Sequence, residues 1–308
     1  MLHNSQIVMS YPTHHQARFY KYTSADTAKK ILHNGTVRYS SPLIFNDPFD
    51  IQSGLHFDFD IHSLPDKIFQ RMEDLVRSSE SINGDNDDPW IQAIKLMREK
   101  YATHGFAREE MWRLLAPSLK RLKETVIETQ VKYIERWKEF LPKLRVFSVS
   151  EDGDNLLMWS HYSKDHTGVV FKFNVLPDRD NALCVAQKVN YQPSPPVFFT
   201  ESEWVESMLG LKPLDTEGLY WRYAYIKSDK WAYEKEWRVW DLLPDRMEEL
   251  YSDYPLIPEE IAAVYLGCRI PESDKKEIVS LISEKYPRAT LFQASKSKSE
   301  FRLDFNEI

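Results

Sequence analysis

Apolar and polar residues alternate most clearly between residues 231 and 240, and this pattern predicts a β-strand. Glu234, Glu236 and Arg238 recur with a period of two, so that they share one face of the strand. The opposite face is apolar and consists of Trp231, Tyr233, Trp237 and Val239. Two carboxylates and a guanidinium on one face make a candidate site. The same pattern also fits an edge strand with a solvated polar face and an internal ion pair.

Similar alternation predicts a set of further short strands, at 18–22, 36–40, 145–150, 169–173, 184–191, 261–267 and 300–305. Thr23 and Asp26 are spaced like the start of a helix, which Asn34-Gly35 would end. Because strands and helices come in groups, we predict an α+β fold with one mixed β-sheet core.

Residues 62–141 have a helical pattern and interrupt the series of strands. Asp88-Pro89 predicts a helix that ends at about residue 102, and spaced apolar residues after Pro117 predict a long amphipathic helix. We therefore predict a single domain over 1–308, with a large helical insertion at 62–141.

Composition restricts the class of protein. The chain has 308 residues, of which 42% are hydrophobic and 28% charged, as in soluble globular proteins. We find no apolar run long enough for a transmembrane helix and no signal-peptide pattern. Two widely separated cysteines fit a reducing cytoplasm. A net charge of −7 argues against broad binding to nucleic acid or anionic membranes, but it allows a local basic groove.

The usual sequence signatures of nucleotide-binding loops, hydrolases and zinc sites do not occur in the chain. The histidines have no cysteine or carboxylate at the spacing of a metal site, so we expect no bound metal. Asn46 and Asp47 lie in a loop shaped by two prolines, Pro42 and Pro48. They are candidates either for a binding loop or for simple side-chain turns.

Several motifs resemble those of a bacterial family known as domain of unknown function 2971. They include Tyr20-Lys-Tyr22, Phe45-Asn-Asp-Pro-Phe49, Asn155-Leu-Leu-Met-Trp-Ser-His-Tyr162, Tyr225-x-Lys227-Ser228 and Trp231-x-Tyr-Glu-x-Glu-Trp-Arg238. Their order and spacing extend over about residues 18–305. Asp50 stands where the family pattern leads us to expect glutamate. The family name itself implies no reaction.

A second resemblance concerns chemistry. Arg18 on a first strand, Phe147-Ser148-Val-Ser150 on a middle strand and Glu234-x-Glu236 on a later strand are similar to the pattern of ADP-ribosyltransferases. This resemblance implies NAD as the small-molecule nucleotide and cleavage of its nicotinamide–ribose bond, in a toxin or phage-defence setting. A fixed carboxylate would stabilise the oxocarbenium-like centre, and an arginine would hold the pyrophosphate.

The same resemblance assigns roles to residues. Glu236 would be catalytic, Glu234 would polarise the acceptor group, and Arg18 or Arg38 would hold phosphate. Further cofactor-binding candidates are Tyr22, Asn46, Asp47, Ser148, Ser150 and Arg238. We also expect Asn46, Asp47 and Glu236 to face a common pocket, because polar loops on a rigid sheet are where sites form.

Two alternatives remain open at the level of sequence. The chain could be a non-catalytic regulatory protein that binds a nucleotide or a peptide through the same strand and loop. It could also be a metal-dependent nuclease with Asp47, Asp50, Glu234 and Glu236 around a divalent ion. A macromolecular acceptor, protein or nucleic acid, belongs to the transferase hypothesis, and the sequence does not specify an oligomeric state.

Overall fold

The computed structural model describes residues 13–105, 107–214, 216–243 and 249–308. The described helices are α1 Ala25–Asn34, α2 Leu64–Arg77, α3 Pro89–His104, α4 Arg108–Phe140, α5 Leu156–Tyr162, α6 Glu201–Met208, α7 Thr216–Ala224 and α8 Glu272–Lys285. Among the described residues, no helix combines the length and the apolar character needed to cross a membrane.

The strands alternate with these helices along the chain. They are β1 Arg18–Thr23, β2 Thr36–Ser40, β3 Leu144–Ser150, β4 Val169–Asn174, β5 Gln187–Lys188, β6 Asn190–Gln192, β7 Ile226–Ser228, β8 Glu236–Leu242, β9 Tyr251–Pro255, β10 Ile261–Leu266, β11 Thr290–Lys296 and β12 Leu303–Glu307. The fold is therefore mixed α+β, as predicted from the sequence.

The chain divides into two compact units. The first contains the described residues up to 52 together with 141–194 and 225–308, and the second contains 53–140 and 195–224. All twelve of the strands that the structure describes belong to the first unit. The predicted organisation, a single domain with an insertion at 62–141, remains a prediction.

The main sheet has ten strands in the order β12-β11-β10-β4-β1-β3-β2-β9, and β8 pairs with both β3 and β5. Strands β10 and β11 are parallel and the other pairs are antiparallel, so the sheet is mixed. It joins strands from both sides of the helical block. The predicted single mixed sheet is therefore confirmed. Strands β6 and β7 form a separate parallel pair.

Strand β3 shows where the sheet opens. One edge of β3 pairs along its whole length with β8, from Leu144–Leu242 to Ser150–Glu236. On the opposite edge, Ser150 pairs with Tyr20 of β1 and Val146 pairs with Ser40 of β2. Two strands thus meet the same edge of β3 at its two ends. Ser148 lies between these two pairs.

The two faces of this sheet are covered differently. Trp237, Val239 and Phe147 point into a core that also buries the apolar sides of α1 and α8. On the other face, a smaller cluster includes Tyr22 and Trp159. Because side chains alternate along a strand, Glu236 and Arg238 lie opposite the large core, as the sequence pattern predicts.

The second unit is helical and has an aromatic core. Its rings contact one another in a group that consists of Phe57, Tyr133, Phe198, Phe199, Trp204, Tyr220 and Tyr223. Helix α4 begins before Pro117 and continues through it, although we expected the helix to begin after this proline. Met111, Leu115, Leu119 and Leu122 bury one side of the helix on both sides of the proline. We infer that this packing offsets the cost of proline in a helix, about 3 kcal/mol.

Three predicted strands were wrong in part. Residues 229–234 form a 3-10 turn, and the strand predicted at 231–240 begins only at Glu236. The Ser228 side chain caps this turn, and Lys235, at φ 46°, leads from it into β8. The strand predicted at 184–191 is a 3-10 turn followed by β5 and β6. The last strand begins at Leu303 instead of residue 300.

Candidate functional site

A cavity of about 400 Å³ lies in the first unit where β1 and β2 meet β3. Tyr22 of β1, Arg38 of β2 and Ser148 of β3 line it, and each of these three strands contributes further residues. Asn46 and Asp50 come from the loop after β2. The volume lies within the range of small-molecule sites, about 300–1,000 Å³.

A buried ammonium group joins three carboxylates at the wall of this cavity. Nζ of Lys227 lies 2.6 Å from Oε2 of Glu234, 3.0 Å from Oε2 of Glu236 and 3.4 Å from Oδ2 of Asp50. The Lys227 residue is only 7% exposed. Burial acts to lower the pKa of Lys227, but the three carboxylates outweigh it and raise the pKa. Lys227 therefore remains charged.

Arg238 is the second buried cation of the cluster. Its Nε donates to Oε1 of Glu236 at 2.8 Å, and its Nη2 donates to Oε2 of Glu236 at 3.0 Å and to Oδ2 of Asp50 at 2.6 Å. Each oxygen of the Glu236 carboxylate thus has a cationic donor. Oδ1 of Asp50 is buried and has no hydrogen-bond partner within the described part of the chain.

Glu234 lies in the 3-10 turn, and other elements hold that turn in place. Oγ of Ser150 donates to the Glu234 carbonyl oxygen at 2.6 Å, and Nδ2 of Asn155 donates to the Tyr233 carbonyl oxygen at 3.1 Å. The hydroxyl of Tyr162 donates to Oε1 of Glu234 at 2.5 Å. The carboxylate therefore faces Lys227 on one oxygen and Tyr162 on the other.

The two glutamates have pKa values displaced in opposite directions. For Glu234, burial raises the pKa, and the attraction of Lys227 offsets this only in part. For Glu236, burial also acts to raise the pKa, but Arg238 and Lys227 outweigh it and lower the pKa. Glu236 is consequently ionised at neutral pH, whereas Glu234 is the more readily protonated of the two. Such a difference between the pKa values of two neighbouring carboxyl groups is typical of pairs that act as acid and base.

Two further cations line the cavity. Lys21 is partly buried, its Nζ donates to the Ser148 carbonyl oxygen at 2.7 Å, and desolvation lowers its pKa to about 8. Arg38 is about half exposed and binds Asp253 through Nε at 2.8 Å and Nη2 at 3.0 Å. Its guanidinium also lies over the ring of Tyr251, 3.7 Å from the centroid.

Most of the predicted site residues come together in this cavity. Its lining contains the predicted residues Tyr22, Arg38, Asn46, Ser148, Ser150, Glu234 and Glu236. Asn46 and Glu236 therefore share a pocket although they are distant in sequence.

Three predicted residues lie elsewhere. Arg18 is exposed and its Nη1 donates to the neighbouring Ala17 carbonyl oxygen. Oδ1 of Asp47 accepts from the Phe49 backbone N–H at 2.9 Å, which is the simple turn considered above. Arg238 lies behind Glu236 and Asp50 and does not line the cavity.

No role was predicted from the sequence for Lys21, Tyr162 or Lys227. All three occur in the family motifs, but no local spacing connects them with the carboxylates. Tyr162 ends α5, and Lys227 lies in the three-residue strand β7. Only the path of the chain in three dimensions brings them to Glu234. In the described residues, no group of three histidine, cysteine or acidic side chains has the arrangement of a metal site.

Comparison with known proteins gives one match. The model of a family described as "Protein of unknown function (DUF2971)" matches residues 158–239. No curated protein and no solved structure matches the chain significantly. The matched segment contains Tyr162, Lys227, Glu234 and Glu236. The family resemblance seen in the motifs is thus confirmed over this segment.

Proposed function

We propose that the cavity binds NAD and that the chain cleaves the nicotinamide–ribose bond, transferring the ADP-ribose to an acceptor. One observation carries the proposal: a cavity of small-molecule size is lined by two glutamates with oppositely displaced pKa values and by two further cations, Lys21 and Arg38. The two glutamates would stabilise the positive charge that develops on the ribose, and the two cations would bind the pyrophosphate.

The remaining cavity residues suit the other parts of such a ligand. Oδ1 of Asp50 is a buried acceptor without a donor, and a ribose hydroxyl would satisfy it. The rings of Tyr22, Phe45 and Tyr162 offer flat surfaces for nicotinamide or adenine. Asn46 adds an amide that can bind a carboxamide.

The reaction assigns different roles to the two glutamates. When the C–N bond breaks, its electron pair leaves with nicotinamide and positive charge develops on the ribose. Glu236 is ionised and supplies a fixed negative charge beside this centre. The acceptor forms the new bond to the ribose and loses a proton, which Glu234 takes up because its raised pKa makes it the better base.

The test is release of nicotinamide from NAD by the purified chain, alone and with cell extract as the source of acceptor. We expect turnover in wild type and a loss of roughly 10²–10³-fold in Glu234→Gln and Glu236→Gln. Binding of NAD, followed by calorimetry, should persist in Glu234→Gln. Absence of nicotinamide release by wild type in both conditions would refute the transferase activity.

A second candidate is a non-catalytic protein that binds a nucleotide. It is favoured by the contacts of Glu236, because both of its oxygens are already bonded to Arg238 and one also to Lys227. This candidate predicts calorimetric binding of NAD without turnover.

The arrangement gives less support to a metal-dependent nuclease. Lys227 already provides a positive charge among Asp50, Glu234 and Glu236, and Asp47 lies outside the cavity. Magnesium-dependent cleavage of nucleic acid that a chelator abolishes would favour the nuclease over the other two candidate functions.

A further inference from the structure

A second cavity of the first unit lies beside the hairpin formed by β11 and β12. Lys296 pairs with Leu303 at the end of the hairpin, and the Ser297 N–H donates to the Arg302 carbonyl oxygen at 3.1 Å. The loop 297–302 is therefore closed at its base. Together with Arg269, it lines a cavity of about 490 Å³ that shares no lining residue with the first cavity.

The charges of this cavity differ from those of the chain as a whole. Arg269, Lys296 and Lys298 are exposed, line the cavity and form no ion pair with any residue that the structure describes. Arg302 differs, because Glu300 at 3.0 Å and Asp304 at 3.2 Å neutralise it. Three uncompensated positive charges thus lie together on a chain whose net charge is −7. Such a local concentration favours a polyanion as ligand.

Phe301, in the same loop, is 102% exposed. Its ring makes no aromatic contact with the part of the chain that the structure covers. A phenylalanine in that position contributes nothing to the core, and its flat surface is available to a ligand. A ring beside free cations is the combination with which proteins bind unpaired bases and their phosphates.

We propose that this cavity binds single-stranded nucleic acid, with phosphates at Arg269, Lys296 and Lys298 and one base stacked on Phe301. The three cations alone would also attract an acidic peptide or an anionic membrane. The exposed ring favours nucleic acid, because every base has a face that can stack on it. The base must be unpaired for this contact, which favours a single strand over a duplex. The proposal does not depend on NAD cleavage at the first cavity.

The experiment measures binding of fluorescent single-stranded RNA and DNA of about 20 nucleotides, a length that exceeds the 4–16 nucleotides covered by one small domain. The charge-reversal variant Lys296→Glu/Lys298→Glu is compared with the control Lys30→Glu/Lys276→Glu. Both control lysines are exposed and form no ion pair within the described ranges. The two double variants therefore change the net charge equally but at different places.

We expect wild type to bind both oligonucleotides. The hairpin variant, Lys296→Glu/Lys298→Glu, should lose at least about tenfold in affinity, while the control should lose less than about twofold. Because each lost phosphate contact lowers the salt slope of single-strand binding by roughly 0.7, the hairpin variant should lower it by about 1.4. Phe301→Ala should weaken binding about tenfold and Phe301→Trp should retain it, since tryptophan also stacks. Because these side chains are exposed, thermal unfolding should be unchanged in every variant.

Several results would overturn the proposal. They are no binding of either oligonucleotide by wild type at about 50 mM salt, equal losses in the two double variants, or an unchanged affinity in Phe301→Ala. Binding of wild type to anionic vesicles or to a polyglutamate peptide, but to neither oligonucleotide, would assign the cavity to that other partner instead.

Discussion

The ammonium nitrogen of Lys227 lies 2.6 Å from Oε2 of Glu234, although Lys227 belongs to β7 and Glu234 to the 3-10 turn that follows. The contact is almost fully buried, with side-chain exposures of 6% and 4%. A buried ion pair contributes little compared with an apolar pair, but removal of one partner leaves an uncompensated charge. Lys227 is therefore the group on which the integrity of this site depends.

Replacement of that lysine should strongly destabilise the protein. Lys227→Met leaves Asp50 and Glu236 with Arg238 but removes the ammonium group bonded to Glu234, so we expect a loss of about 3–5 kcal/mol in the free energy of unfolding. Urea denaturation at neutral pH measures it. The matched control is Lys230→Met, which removes an 86% exposed side chain and should change stability by less than about 0.5 kcal/mol. Equal stability of the two variants would contradict the buried cluster.

The pH dependence of stability should distinguish the two glutamates. The pKa of Glu236 is lowered, so its stabilisation is complete above its ordinary pKa of 4.5 and is lost as pH falls below that value. Glu236→Gln should therefore destabilise the protein at pH 7, and the difference from wild type should shrink below about pH 4.5.

Glu234→Gln is the control with the opposite sign. Because the pKa of Glu234 is raised, its contribution to stability is complete below 4.5 and is lost as pH rises through the native pKa. At pH 7, Glu234→Gln should consequently lower the free energy of unfolding by less than Glu236→Gln does. Denaturant titrations between about pH 3 and 8 measure both differences. A larger loss for Glu234→Gln at pH 7 would contradict these opposite displacements.

Because of Lys21, the free energy of unfolding should increase as the pH rises above about 8. Its pKa is lowered from 10.5 to about 8, so between these values the unfolded chain binds a proton that the native state lacks. Stability then increases with pH, by at most about 1.4 kcal/mol per pH unit. Lys21→Met should remove this increase between pH 8 and 9.5. Lys172→Met, on the adjacent strand β4 and outside the first cavity, is the control that should retain it.

Two predicted phosphate ligands can be compared directly. Arg38 lines the first cavity and Arg18 does not, although both were candidates from the sequence. We expect Arg38→Ala to weaken the binding of ADP-ribose by about tenfold or more, because a charged hydrogen bond contributes roughly 1.5–3 kcal/mol. Arg18→Ala should leave the affinity unchanged.

Calorimetry measures the affinity, and a denaturation curve serves as its control. Arg38 is half exposed, so loss of its ion pair with Asp253 should cost at most about 1 kcal/mol of stability. Equal affinities of the two arginine variants would mean that phosphate is not bound at this edge of the cavity.

The sequence predicted the sheet better than the site. Alternation places Glu236 and Arg238 on one face and Trp237 and Val239 on the other, because burial of one face fixes the period of two. The same alternation continues to Trp231, but this residue lies in the turn before the strand, where its ring contacts Tyr233 and His161. A local pattern could not distinguish these two environments.

The partners of the carboxylates could not be predicted for a different reason. Lys227 meets Asp50 across an interval of more than 170 residues, and a single sequence contains no information about such a pairing. Asp47 shows the reverse case, since its bond to the Phe49 N–H is local and the turn was foreseeable. Long-range polar contacts determine this site, and the spacing of residues along the sequence does not reveal such contacts.

Strand β2 pairs with β9, so Arg38 lies opposite Asp253, and β4 pairs with β10. During synthesis, β2 and β4 therefore gain these two neighbours only when about the last fifth of the chain has emerged. Pairings this distant in sequence are typical of slow folding, because a long loop must close before any contact rewards it. Until then the edges of β2 and β4 are open to other strands, which makes assistance from chaperones valuable to the nascent protein.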